Sequence, residues 1–247
     1  PLFGAGILRK IDDPQSPSGS SGLAQFLKLD QRIVDYILGR TSSEKRLHGL
    51  VQFFEPSPIL NNLPVDEAVK SNLLNLLNYQ FTERDVYPRR LVLYLYGPYG
   101  VGKHDLALGL CGQLNCPLLY LDMGSLLAHE ADLGTLLRLV VREGLLSKAA
   151  LYFDNVDVLL KDEGTGHTLM KKVAEVVKEY GWLTFLAGEK TWSYKGLFNQ
   201  AAFHSVALSI PDVTIRETVW QQALERLVHE PDPSWAELLA AQFRLTP

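Results

Sequence analysis

Gly97-Pro98-Tyr99-Gly100-Val101-Gly102-Lys103-His104 has the spacing G-x-x-x-x-G-K, and its flanks decide how it is read. Glycines let backbone N–H groups turn inward around phosphate oxygens, and a lysine at this position reaches the outer phosphates. Before it, Leu91–Tyr96 is a continuous apolar run ending at Gly97, the pattern of a strand buried on both faces. After it, Lys103–Leu114 has helical periodicity. Strand, glycine loop and helix are the context in which such a loop cradles phosphate. The candidate phosphate-binding set is Gly97, Pro98, Tyr99, Gly100, Val101, Gly102, Lys103, His104 and Asp105. The motif departs from its pattern at His104, because a serine or threonine hydroxyl normally stands there and holds Mg2+.

Outward from the loop, strands and helices alternate. The spacing predicts a helix opening at Asp66-Glu67, with Val69, Leu73, Leu74, Leu76 and Leu77 on its apolar stripe. It predicts strands over 117–121, 149–153, 183–187 and 206–210, and helices over Leu133–Leu146 and 168–180. Past Pro211-Asp212 the chain reads as helical again, over 214–227 and 235–243. Such alternation implies a parallel sheet with helices on both faces, and ligands of such sheets sit at the carboxyl ends of the strands. Gly97, Asp154 and Gly188 fall at those ends.

Residues 1–55 read differently. Apolar-alternating runs over 6–11 and 23–29 flank a Pro/Ser/Gly-rich stretch, which suits two strands and a long loop. Asp30 is placed to cap a short helix carrying Ile33, Val34, Ile37 and Leu38, stopped by Gly39. A hairpin beside a short helix is winged-helix-like. Residues 56–64 read as a linker, 65–211 as the nucleotide-binding core and 212–247 as the incomplete start of a helical lid. A chain beginning at Pro1 and ending on Thr246-Pro247 reads as part of a longer protein.

Composition narrows the function classes. The 247 residues are 47% hydrophobic and 21% charged, with a net charge of −4, so there is no global attraction to nucleic acid or anionic lipid. No apolar run reaches the roughly 20 residues of a bilayer span, no secretory leader is visible, and the expected location is cytoplasmic. Cys111 and Cys116 are too few for a zinc site. Residues 1–50 hold seven Lys/Arg against five Asp/Glu, without the concentrated basic footprint that nucleic acid requires.

A second motif supports the first: Leu151-Tyr152-Phe153-Asp154 is an apolar strand ending in a carboxylate about 50 residues downstream, placed to hold the water shell of a metal. With Leu63-Pro64-Val65-Asp66, Gly97 to Lys103, 183–187 and Pro211-Asp212, Arg216 and Trp220, the stretch 65–247 resembles the AAA+ ATPase family. The segment 1–55 is similar to the winged-helix piece before the first, often degenerate, ATPase domain of large bacterial two-domain proteins. The resemblance implies ATP or ADP as ligand. It also implies partners among the other domains of a larger protein, a second AAA+ domain foremost, and assembly with copies of itself.

Departures from the family pattern bear on chemistry. An imidazole at 104 is a poor substitute for the hard oxygen that Mg2+ prefers, which leaves Asp154, acting through water, as the remaining metal contact. Asn155 stands where the family has the glutamate that polarises water, and an amide cannot take the proton. Glu189 stands at the position of a neutral sensor, and Phe203-His204-Ser205 lies where a neighbour-directed arginine would be. Ser125-Leu126-Leu127-Ala128-His129-Glu130, read as a loop, has no pore aromatic. The expected function is a nucleotide-binding module with impaired hydrolysis, regulatory or structural within a larger ATPase. The alternatives are an active ATPase with an unusual metal ligand and a winged-helix nucleic-acid module.

Overall fold

A computed structural model describes residues 7–12, 25–40, 44–82, 90–129, 132–160, 165–192, 196–199, 201–227 and 232–243. The expected loop between the first two strands and the terminal Thr246-Pro247 lie outside these residues.

The chain opens with β1 (Leu8–Asp12) and β2 (Gln25–Leu29), paired antiparallel with Leu8 opposite Leu29. The short helix α1 (Gln31–Ile37) follows, capped by the Asp30 side chain on the Arg32 N–H, and Gly39 takes φ +66° just past its end. A 3-10 turn at Lys45–Leu47 leads to β3 (Val51–Phe54), and a second one at Leu60–Asn62 leads to α2 (Glu67–Thr82).

The core then alternates as its hydrophobic periods demand. In order come β4 (Leu91–Tyr96), α3 (Lys103–Leu114), β5 (Leu118–Asp122), α4 (Met123–Leu127) and α5 (Leu133–Leu146). After them come β6 (Ala150–Asp154), α6 (Asp157–Leu160), α7 (Thr165–Tyr180), β7 (Leu183–Gly188) and β8 (Ala202–Ala207). Two further helices close the described chain, α8 (Val213–Leu227) and α9 (Pro233–Gln242). One six-stranded sheet has the order β3-β5-β6-β7-β4-β8, parallel except for β3, which pairs antiparallel with β5.

Alternation along β4 separates two apolar layers. Val92 and Tyr94 join a cluster with residues of α5 and α7, whereas Leu91, Leu93 and Leu95 join one with α2 and α3. The expected parallel sheet with helices on both faces is therefore the observed architecture. Because β7 lies between β4 and β6, the glycine loop, Asp154 and Glu189 emerge together at the carboxyl edge.

Three elements differ from expectation. The last strand is 202–207, not 206–210: Leu208 donates to the Tyr96 carbonyl (2.7 Å), and Ile210, before Pro211, is already exposed. Much of the segment read as the loop 125–130 is helical through α4, because Asp122 caps it by accepting the Ser125 N–H at 2.6 Å; Glu130 lies outside the described residues. The sequence reading placed no strand at 51–54, yet β3 forms the sheet edge. The segment read as a linker is packed, since a Cβ on Gly112 of α3 would stand 2.1 Å from the Ser57 carbonyl oxygen.

The amino-terminal arm is anchored by charge. Arg32 grips Glu143 of α5 with Nε at 2.9 and 3.1 Å and a terminal nitrogen at 2.7 Å. Arg142 of α5 reaches Glu44 at 2.5 Å and Asp30 at 3.5 Å, and Arg46 reaches Glu44 at 2.7 Å and Asp30 at 3.2 Å. Three guanidinium groups thus meet three carboxylates, and Asp30, Glu44, Arg142 and Glu143 are all buried. Burial pushes the Glu44 carboxyl up, but hydrogen bonds from Arg46 and the charges of Arg46 and Arg142 outweigh it and hold the group down at about 2.

Candidate phosphate-binding site

Gly100 and Gly102 adopt φ +79° and +81°, the left-handed turns that let the loop coil over the start of α3. Gly97 is required for another reason, since a Cβ there would lie 2.0 Å from the Leu208 carbonyl oxygen. The Gly97 N–H is tied to the Gly188 carbonyl at 3.2 Å, which fixes the loop against the end of β7. Lys103 is half-buried, and its ammonium donates to the carbonyls of Gly97 (2.8 Å) and Pro98 (2.9 Å). An ammonium carries three donors, so one remains for an anion. Burial pulls the Lys103 pKa down, while Asp154, Glu189 and Asp157 push it back up.

Tyr99, Gly100, Gly102, Lys103, His104, Tyr152 and Asp154 line a hollow of about 390 Å3. Of the sequence-predicted residues, Tyr99, Gly100, Gly102, Lys103, His104 and Asp154 line it, whereas Gly97, Pro98, Val101 and Asp105 do not; Pro98 is exposed, Val101 buried and Asp105 half-buried in the first turn of α3. Tyr99 is 90% exposed. Asp105 lies 3.7 Å from the imidazole Nδ1 of its neighbour His104.

The His104 ring is enclosed by aromatics that sequence reading did not connect to it. Its centroid lies 4.7 Å from Phe54, 5.5 Å from Tyr152 and 5.7 Å from Tyr120, edge-on in each case. Nε2 is shut away from solvent and finds no hydrogen-bond partner among the described residues. Asp154 receives the Tyr120 hydroxyl at 2.8 Å and the Asn155 N–H at 2.9 Å. Burial, and then this bond to Asp154, push the Tyr120 phenol up, so it stays protonated as a donor.

Asn155 is exposed with φ +55°, a left-handed conformation that asparagine tolerates well. Glu189 is also exposed, and its N–H donates to the buried Asp157 carboxylate, which receives the Lys190 N–H at 3.4 Å as well. Asp122 sits beside Asp154 in the parallel register. Lys103 and Asp154 therefore share the hollow, and the charges of Glu189 and Asp157 also act on Lys103.

Arg216, singled out with the helical lid, is held elsewhere. It donates to the carbonyls of Pro211 (2.7 Å) and Ala240 (3.0 and 3.1 Å) and so joins α8 to the end of α9. Phe203, His204 and Ser205 lie within β8, paired with β4. A second hollow, of about 430 Å3, lies between 61–70 and α8, and its buried Lys70 is paired with Glu67 at 2.7 Å.

Mg2+ is the metal that a loop of this type implies, and the donor set does not fit it. Position 104 offers a ring walled by aromatics instead of an oxygen, which leaves Asp154, acting through water, as the carboxylate that lines the hollow. Among the described residues, no group of three or more His, Cys, Asp or Glu is placed to hold a metal.

Comparison with known proteins agrees with this geometry. Residues 93–184 match the family model described as ATPase family associated with various cellular activities (AAA). The crystal structure of the FIGL-1 AAA domain superposes with a TM-score of 0.62 at 14% identity, over 81% of this chain and 73% of that one. A structure described as the basis for katanin self-assembly gives 0.60 at 15% identity, over 83% and 73%. The core has the fold of an AAA domain. No curated protein matches the chain. Within the AAA-type core the matched segment runs from inside β4, through the glycine loop and Asp154, into β7. No described helix is long and apolar enough to cross a membrane.

Proposed function

We propose that this chain is a nucleotide-binding AAA+ module whose own hydrolysis is impaired, and that it serves a larger ATPase as a regulatory or assembly domain. The reading rests on one contrast at the carboxyl edge of the sheet. The cradle of Gly97, Gly100, Gly102 and Lys103 is formed, whereas the position that should supply a base carries the amide of Asn155. Binding uses backbone N–H groups, an ammonium and the positive end of α3, while hydrolysis needs a proton acceptor beside the attacking water. The two can therefore part company. Losing a general base costs about 10²–10⁴ in rate.

The partners proposed are a second AAA+ domain of the same protein and further copies of the chain; self-assembly is what the katanin structure was solved to explain. A nucleic-acid role for the winged-helix-like segment 1–55 ranks behind this. Two of its cations, Arg32 and Arg46, are engaged with Glu143, Glu44 and Asp30 rather than offered as a basic surface.

Phosphate release from ATP with Mg2+ tests the reading. The wild-type chain should remain at background, and His104→Thr combined with Asn155→Glu should raise the rate at least about tenfold. Wild-type turnover abolished by Lys103→Ala would instead establish an active ATPase.

A further inference from the structure

The substitutions around the loop do more than remove catalytic groups. Mg2+ in a phosphate loop performs an electrostatic task, offsetting the negative charge of the outer phosphates next to protein carboxylates. Here the hydroxyl that would hold it is replaced by an imidazole, and Asp154 has a protein partner. The imidazole of His104 is lodged among Phe54, Tyr120 and Tyr152, and the Tyr120 hydroxyl is bonded to Asp154 at 2.8 Å. The acidic groups themselves remain. Asp154 lines the hollow with Lys103, and Asp122 stands beside Asp154 in register. Glu189 directly follows Gly188, whose carbonyl is bonded to the Gly97 N–H that opens the loop.

An anion seated on this loop therefore meets two unequal environments. The inner part meets the loop backbone of 99–102 and the first turn of the twelve-residue helix α3. A further phosphate beyond Lys103 would meet Asp154, which lines the hollow, and would come under the charge of Glu189, an exposed carboxylate that also acts on Lys103. Like charges beside the half-buried Asp154 oppose binding.

We propose that the loop is a metal-independent receptor for a nucleoside diphosphate that discriminates against the triphosphate. This rests on the reading that the loop binds nucleotide at all. On this account Tyr120 replaces the cation as the partner of Asp154, and Glu189 is the residue that sets the preference for two phosphates over three.

Titration calorimetry of the wild-type chain with ADP and with ATP, each in excess EDTA and in millimolar Mg2+, separates the two claims. ADP affinity should agree between EDTA and Mg2+ within about twofold, and in EDTA ATP should bind at least about tenfold more weakly. Glu189→Gln should tighten ATP in EDTA more than it tightens ADP and so narrow the ATP deficit. A tenfold tightening of ADP by Mg2+, or ATP binding as well as ADP in EDTA, overturns this proposal alone. Silence with both nucleotides in every condition overturns the nucleotide-binding reading, and this proposal with it.

Discussion

The molecule holds two clusters of charge, and they are built on opposite plans. At the junction of the amino-terminal arm and α5, Arg32, Arg46 and Arg142 meet Asp30, Glu44 and Glu143, so the count balances. At the glycine loop, Lys103 feels the charges of Asp154, Glu189 and Asp157. The first cluster is internally matched and needs nothing from solution; its task is to hold two parts of the chain together. The second is mismatched in sign, and its cation keeps a donor in reserve. A balanced buried cluster points to architecture and an unbalanced half-open one to a ligand.

The largest test of this contrast removes one partner from the balanced cluster. Arg142→Ala leaves the two buried carboxylates Glu44 and Asp30 sharing the guanidinium of Arg46, and urea unfolding should show a loss of about 3 kcal/mol. Acid comes next. The folded Glu44 carboxyl is depressed to about 2 from 4.5, so its stabilisation is complete above pH 4.5 and declines as pH falls toward 2. That contribution amounts to at most about 3 kcal/mol, and Glu44→Gln should flatten the slope of unfolding free energy over that interval. The smallest effect is expected at the other cluster. Lys103→Ala should change unfolding free energy by less than about 1 kcal/mol, despite removing the charge on which nucleotide binding depends. A loss there as large as that of Arg142→Ala would erase the distinction between the clusters.

Legibility of these features in the sequence follows their range. β4, α3 and α5 emerge at their expected bounds because a hydrophobic period and a cap or glycine are local signals. Asp30 caps α1 as its position implies. The loop glycines were legible for the same reason, since their spacing is itself the chemistry. The matched cluster was not, because its key pairs, Arg32 with Glu143 and Arg142 with Glu44, lie 111 and 98 residues apart. The one hint was the adjacent Arg142-Glu143 inside an otherwise apolar stretch of α5. The surroundings of His104 were hidden similarly, since Phe54, Tyr120 and Tyr152 come from three strands. β3 gives only a weak signal: it is four residues long, half exposed and on an edge.

Phe54 ends β3 and also lies edge-on to the imidazole that begins α3. The arm and the anion cradle are thus joined through the thickness of one ring. Interiors packed this closely do not absorb a missing side chain without rearrangement. Peeling the edge strand from β5 would uncover one flank of His104, and seating the strand again would close it.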